Sequence, residues 1–207
     1  MNAESLKKAL EEAKKGKERK FDQTIDLIIN LRAIDPKKDQ VNIVVNIPNK
    51  VKDKKVCGFF NEKSKIVDTI KENEFKKYSE KKALKSLVKK YDYFIAVAPL
   101  MPKVATTFGK ALGPSGKMPS PQLGIIAQEN ESSVKEVLDK IAVSLKIRLK
   151  EASIKVPVGK ASMNDEKIIQ NITSVYKAVE NALPKKKENV KNVMVKLSMG
   201  KPARVEL

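Results

Sequence analysis

A chain of 207 residues with 43 Lys and Arg against 25 Asp and Glu carries a net charge of +18, and 41% hydrophobic beside 33% charged residues is the balance of a folded protein. No histidine and a single cysteine exclude imidazole general bases, Ser-His and Cys-His pairs, disulfides and cysteine-built zinc sites, and fit a reducing cytosol. The charge favours a polyanionic partner through long-range attraction and counterion release, without saying which polyanion.

In chain order, Leu6, Ala9, Leu10 and Ala13 recur at helical spacing, with Gly16 where a C-cap would stand. The same stretch mixes acidic and basic residues and lacks the apolar core of a signal peptide, so a mature cytoplasmic start is expected. From Thr24 the period changes to two. Ile25, Leu27, Ile29 and Leu31 alternate with Thr24, Asp26, Ile28, Asn30 and Arg32, which predicts a strand with one buried face. Asp35-Pro36 supplies a turn, and Val41, Ile43, Val45 and Ile47 repeat the alternation up to Pro48. The two strands are expected to pair antiparallel.

After the polar stretch 49–53, short apolar runs (Val56 to Phe60, Tyr93 to Ala98) flank a helical segment from Lys81 to Lys90, the grammar of a parallel sheet. Cys57 falls in the first run and reads as buried. The most apolar uncharged run, Phe94 to Met101, is far shorter than the roughly 20 residues of a membrane span. A helix from about Ser132 to Ile141 leads into an alternating Val143, Leu145, Ile147 and Leu149, and Ser153 to Val158 alternates again. Asn164 is a plausible N-cap for a helix carrying Ile168, Ile169, Ile172, Val175, Tyr176 and Val179, which ends before Pro184. The last strand, Val190 to Leu197, needs neighbours and is expected to find them among the early strands. The chain then divides into a discontinuous domain of 1–53 and 151–207 and an inserted domain of 54–150, hinged at two polar connections.

The segment Gly109 to Pro119 reads as a rigid basic loop with glycines free to approach phosphate. It is not a nucleotide-binding P-loop, which needs glycine where Ala111 stands and a hydroxyl where Met118 stands. Asp22 and Asp26 are four apart on one strand face, where carboxylates are usually solvated. Lys20, Phe21, Thr24 and Asp26 place a cation, an apolar ring, a hydroxyl and an acceptor together, a set that suits the 2′-hydroxyls and splayed sugars of folded RNA. Phe21 as a plug at the domain edge and Lys20 as a solvated cation is the competing reading, and this segment alone favours it. Gly200, in Ser198-Met199-Gly200, either permits a turn or lets the backbone approach RNA closely.

Four motifs in order carry a resemblance over essentially the whole chain. They are Lys20-Phe21-Asp22-Gln23-Thr24-Ile25-Asp26, Leu112-Gly113-Pro114-Ser115-Gly116-Lys117-Met118-Pro119, Val158-Gly159-Lys160-Ala161-Ser162 and Ser198-Met199-Gly200. In these the chain resembles the family of large-subunit ribosomal protein one, with a lysine-rich composition closer to the archaeal type. The resemblance implies an α/β protein with an α+β first domain around an antiparallel sheet and an inserted Rossmann-like second domain. Its implied function is that of a structural protein, not an enzyme, without cofactor. It binds large-subunit rRNA, forms the mobile stalk that assists release of deacylated tRNA from the exit site, and represses translation by binding its own operon mRNA. The implied RNA contacts are Lys20, Phe21, Thr24, Asp26, Gly159, Lys160, Ser162, Ser198, Met199 and Gly200. Serine at 198 replaces the family's usual threonine, keeping the hydroxyl and losing a methyl. The resemblance further implies a cytoplasmic protein of the ribosome, away from membranes and monomeric when free. The rivals are a nucleotide-using or RNA-modifying enzyme, opposed by the absent histidine and broken phosphate motif, and a nonspecific basic protein with strongly salt-dependent binding.

Overall fold

The computed structural model describes residues 3–15, 19–36, 39, 41–78 and 80–206. The expected helix cap at Gly16 lies outside these residues. The chain separates into two compact units, one made of Met1–Lys52 with Val143–Leu207 and the other of Asp53–Ala142.

The unit built from both chain ends is organised by β1 (Thr24–Leu31), whose residues alternate between half-buried and buried along its whole length. β2 (Asn42–Asn46) follows it in sequence, then the second unit, then β7 (Ser144–Arg148), β8 (Ser153–Lys160), β9 (Val190–Leu197) and β10 (Ala203–Val205). The sheet order is β10-β9-β1-β8, all neighbours antiparallel. Both edges of β1 are therefore taken by distant strands. β2, expected beside β1, pairs instead with β7 from Asn42↔Arg148 to Asn46↔Ser144. The same ladder moves the boundary of the inserted unit from the expected 150/151 to 142/143, because β7 belongs with the chain ends.

Helices α1 (Ala3–Lys14) and α5 (Asp165–Ala182) close this unit's core, where Leu6 and Leu10 of α1 and Ile168, Ile172 and Val175 of α5 are buried with Ile25, Leu27, Ile29, Val193 and Val195 of the sheet. Asn164 caps α5, its side-chain oxygen accepting from the Glu166 N–H at 3.0 Å, and Asp165 and Glu166 place negative charge at the positive end of the helix. Within α5 the fully buried Asn171 donates to the carbonyls of Asn49 (2.9 Å) and Val158 (2.8 Å) and accepts from the Asn49 N–H (3.0 Å). An amide so satisfied holds Asn49 against β8 and the helix, its hydrogen bonds offsetting the cost of burying it.

The inserted unit is a parallel sheet of β3 (Val56–Phe60), β4 (Asp68–Lys71), β5 (Tyr93–Val97) and β6 (Ile125–Ile126) in the order β4-β3-β5-β6. With it run α2 (Lys81–Lys90), α3 (Met101–Ser115) and α4 (Glu131–Val143). Phe59 stacks on Phe94 and packs tilted on Phe108, while Phe75 meets Phe59 and Phe108 edge-on, an aromatic centre for the unit. Cys57 is buried, and burial is the main reason its thiol is pushed up to about 12.

The Gly109 to Pro119 segment is mostly not a loop. Residues 109–115 are the last turns of α3, and Gly116 ends it in the left-handed conformation at φ 73°. The Gly116 and Lys117 N–H groups return to the carbonyls of Gly113 (3.0 Å) and Leu112 (3.0 Å). Val104, Phe108 and Leu112, spaced by four and buried, hold the helix together despite two glycines and Pro114. Lys117 points its ammonium at the carbonyls of Val88 (2.7 Å) and Tyr91 (2.8 Å), binding the end of α2 rather than presenting a charge.

Candidate nucleic-acid interface

Register brings the expected contact residues to one end of the antiparallel sheet. β1 begins where β8 and β9 finish, with Thr24 opposite Lys160 and Ile25 opposite both Gly159 and Leu197. Three segments far apart in sequence, 19–24, 160–163 and 198–200, therefore meet at one rim. Hydrogen bonds make the rim a defined surface. The carbonyl of Gln23 accepts from the Ala161 N–H (2.8 Å), the carbonyl of Thr24 from the Ser198 N–H (2.9 Å), and the buried Gln23 side chain from the Met199 N–H (3.3 Å).

On this framework stand Phe21 and Met199, 57% and 64% exposed, the large hydrophobic side chains left in solvent among the described residues. Neither plugs the core, so the competing reading of Phe21 as a structural plug fails. Beside Met199 lies a hollow whose lining includes the cations Lys15, Arg19 and Lys201, the carboxylate of Glu12, and Gln23 and Gly200. Lys20 and Ser198 are exposed, and Thr24 and Lys160 half-buried. Cations, hydroxyls and two isolated apolar groups on a fixed backbone can hold a ribose-phosphate chain and cover its sugars.

Asp26 lies on the same strand, opposite Lys196 of β9. Burial holds its carboxyl above the ordinary 3.8, with the Lys196 charge pulling the other way. Asp22, expected to be solvated on a strand face with Asp26, precedes the strand. It accepts from the Ser162 N–H (3.1 Å) and hydroxyl (2.9 Å), with the Lys160 ammonium at 3.6 Å.

Two glycines in the expected set serve packing. Gly159 is buried, and a Cβ there would lie 2.8 Å from Ile168 Cγ1, so glycine is required for α5 to sit on β8. Gly200 donates its N–H to the Leu197 carbonyl at 2.9 Å, and its missing side chain spares a 3.1 Å approach to Leu197 Cβ, which makes it a turn residue first. Arg19 and Lys201, beside Met199, and Lys196, opposite Asp26, are cations that the sequence reading did not single out. Lysine and arginine are too common in this chain for position to mark them out.

The family model for the ribosomal protein L1p/L10e family matches residues 10–201. The chain belongs to the ribosomal protein L1p/L10e family. Similar proteins named large ribosomal subunit protein uL1 come from Archaeoglobus fulgidus (34% identical, 99% of each chain) and Thermococcus kodakarensis (32% identical, 98% of this chain and 97% of the other). Another comes from Nanoarchaeum equitans, 31% identical over 95% of this chain and 97% of the other. The L1 relationship is of the archaeal type, spans both units and makes this a structural ribosomal protein, not an enzyme. No helix among its described residues is long and apolar enough to cross a membrane.

Proposed function

We propose that this protein is a component of the large ribosomal subunit that grips large-subunit rRNA with the rim of its end-built unit. Phe21 and Met199 supply apolar cover for sugars, Thr24, Ser162 and Ser198 hydroxyl contacts, Lys20 and Lys160 phosphate attraction, and Asp26 a polar partner. The observation that carries the reading is the pair of exposed apolar side chains set on a hydrogen-bonded rim in a chain of charge +18. Exposed apolar side chains beside cations and hydroxyls suit splayed nucleotides, which gain apolar contact from them. The relatives' name, large ribosomal subunit protein uL1, supplies the polyanion. The same reading takes the protein as a mobile stalk element assisting release of deacylated tRNA from the exit site. It also takes it as a repressor of its own mRNA through an rRNA-like site on the same rim.

The test is a titration against a large-subunit rRNA stalk fragment in excess unrelated RNA, at moderate and high salt. Selective binding should persist as salt rises, since hydroxyl, apolar and backbone contacts release few counterions. Met199→Ala should lower selective affinity about tenfold, about 1.4 kcal/mol, with an unchanged unfolding midpoint. Binding that falls to the level of the competitor leaves only a basic protein.

A further inference from the structure

A carboxylate on a surface for RNA is unfavourable in itself, because it repels phosphate. Asp22 stands on that rim, exposed, beside the residues proposed to touch RNA. Its geometry points to a contribution that offsets the repulsion.

Among the described residues Asp22 meets the 160–162 segment three times: Oδ1 accepts the Ser162 N–H at 3.1 Å, Oδ2 accepts the Ser162 hydroxyl at 2.9 Å, and the Lys160 ammonium lies 3.6 Å from Oδ2. With the neighbouring bond from Ala161 N–H to the Gln23 carbonyl at 2.8 Å, residues 22–23 are joined to 161–162 by three hydrogen bonds. An ionised carboxylate can only accept, so the Ser162 hydroxyl must spend its single proton on Asp22. The Ser162 bond is also the leading reason the Asp22 carboxyl sits below its ordinary value, which keeps it ionised. The exposed face of Ser162 Oγ is then an acceptor only. A phosphate oxygen, itself an acceptor, finds no partner there; a ribose 2′-hydroxyl, which can donate, does.

We infer that Asp22 is a positioning residue for RNA recognition, fixing Ser162 as an acceptor aimed at a ribose 2′-hydroxyl and so favouring RNA over DNA at that contact. This rests on the rim being the rRNA site. Lys160, drawn toward Asp22, is correspondingly restrained as a phosphate contact, and selectivity is gained in exchange for bulk attraction.

The test uses the full chain, the rRNA stalk fragment and a series of the same fragment bearing single 2′-deoxy substitutions. In the natural protein the most sensitive substitution should lower affinity about tenfold, the size of one hydrogen bond to a well-placed acceptor. In Asp22→Ala and in Ser162→Ala that sensitivity should vanish, and the double variant should lose no more than either single one. Asp22→Ala should at the same time bind unrelated duplex DNA as tightly or more tightly, since a negative charge has gone. Either variant keeping the full 2′-deoxy sensitivity overturns the inference, as do additive losses in the double variant or a natural protein indifferent to every substitution. A merely structural role for Asp22 weakens ribose and deoxyribose forms alike and leaves their ratio unmoved. Failure of the natural protein to prefer the stalk fragment over unrelated RNA is a different result and strikes at the rRNA reading itself.

Discussion

The carbonyl oxygen of Thr24 accepts two hydrogen bonds from Ser198, one from its N–H at 2.9 Å and one from its hydroxyl at 3.1 Å, tying together positions 174 apart in sequence. The start of the first long strand and the end of β9 thus share one oxygen. Ser198→Ala removes the hydroxyl bond and leaves the backbone one, so the acceptor stays satisfied. The expected loss in a urea titration is about 0.5–1 kcal/mol, restored in Ser198→Thr.

Gly159→Ala separates packing from recognition. Its Cβ would be 2.8 Å from Ile168 Cγ1 in a tightly filled core, and overpacking of this kind costs about 1–3 kcal/mol. Denaturant unfolding should show that loss, while the folded protein keeps its selective affinity for RNA. A loss of affinity without a loss of stability would return Gly159 to the contact surface.

Lys117→Ala should unsettle the inserted unit alone. The ammonium serves the carbonyls of Val88 and Tyr91 at 2.7 and 2.8 Å, and charged hydrogen bonds of this kind contribute about 1.5–3 kcal/mol. Hydrogen exchange should accelerate in α2 with affinity for the stalk fragment unchanged. Equal losses of affinity here and at Met199 would contradict recognition confined to the end-built unit.

For Asp26 the sign follows from its raised carboxyl. The folded state holds a proton that the unfolded state has already released, so stability falls as pH rises from the unfolded carboxylate value through the folded one, and the deficit persists above it. Asp26→Asn lacks this term. Its stability relative to the natural protein should therefore be more favourable at pH 7 than at pH 3, measured by guanidinium unfolding at both.

What the sequence disclosed and concealed divides along physical lines. Local periodicity placed β1, β8, β9 and α5 well, because alternation and the Asn164 cap are written in neighbouring residues. Pairing was different. The partner of β2 lay a hundred residues away in β7, and no local signal separates it from the nearer β1. In α3, glycine and proline make residues 109–119 read as a loop, whereas the buried Val104, Phe108 and Leu112 carry the helix through Ser115. At the rim, Phe21, Ser198 and Met199 could be named from motifs. That Phe21 and Met199 are exposed, and that Asp22 bonds to Ser162, needed the register between β1 and β8.

The position of β1 between β8 and β9 also sets a timetable for a chain made from its amino end. Residues 53–142 are contiguous, so every strand of their parallel sheet is present once β6 (Ile125–Ile126) has been synthesised. β1 is among the first strands translated, yet neither neighbour exists until Ser153 to Lys160 and then Val190 to Leu197 have followed. Through that interval Ile25, Leu27, Ile29 and Leu31 wait on a strand with two unpaired edges, the kind of surface on which nascent chains associate wrongly. Residues 190–197 thus complete the pairing of a strand made well before them, and until they follow, that edge of β1 has no partner strand in the sheet.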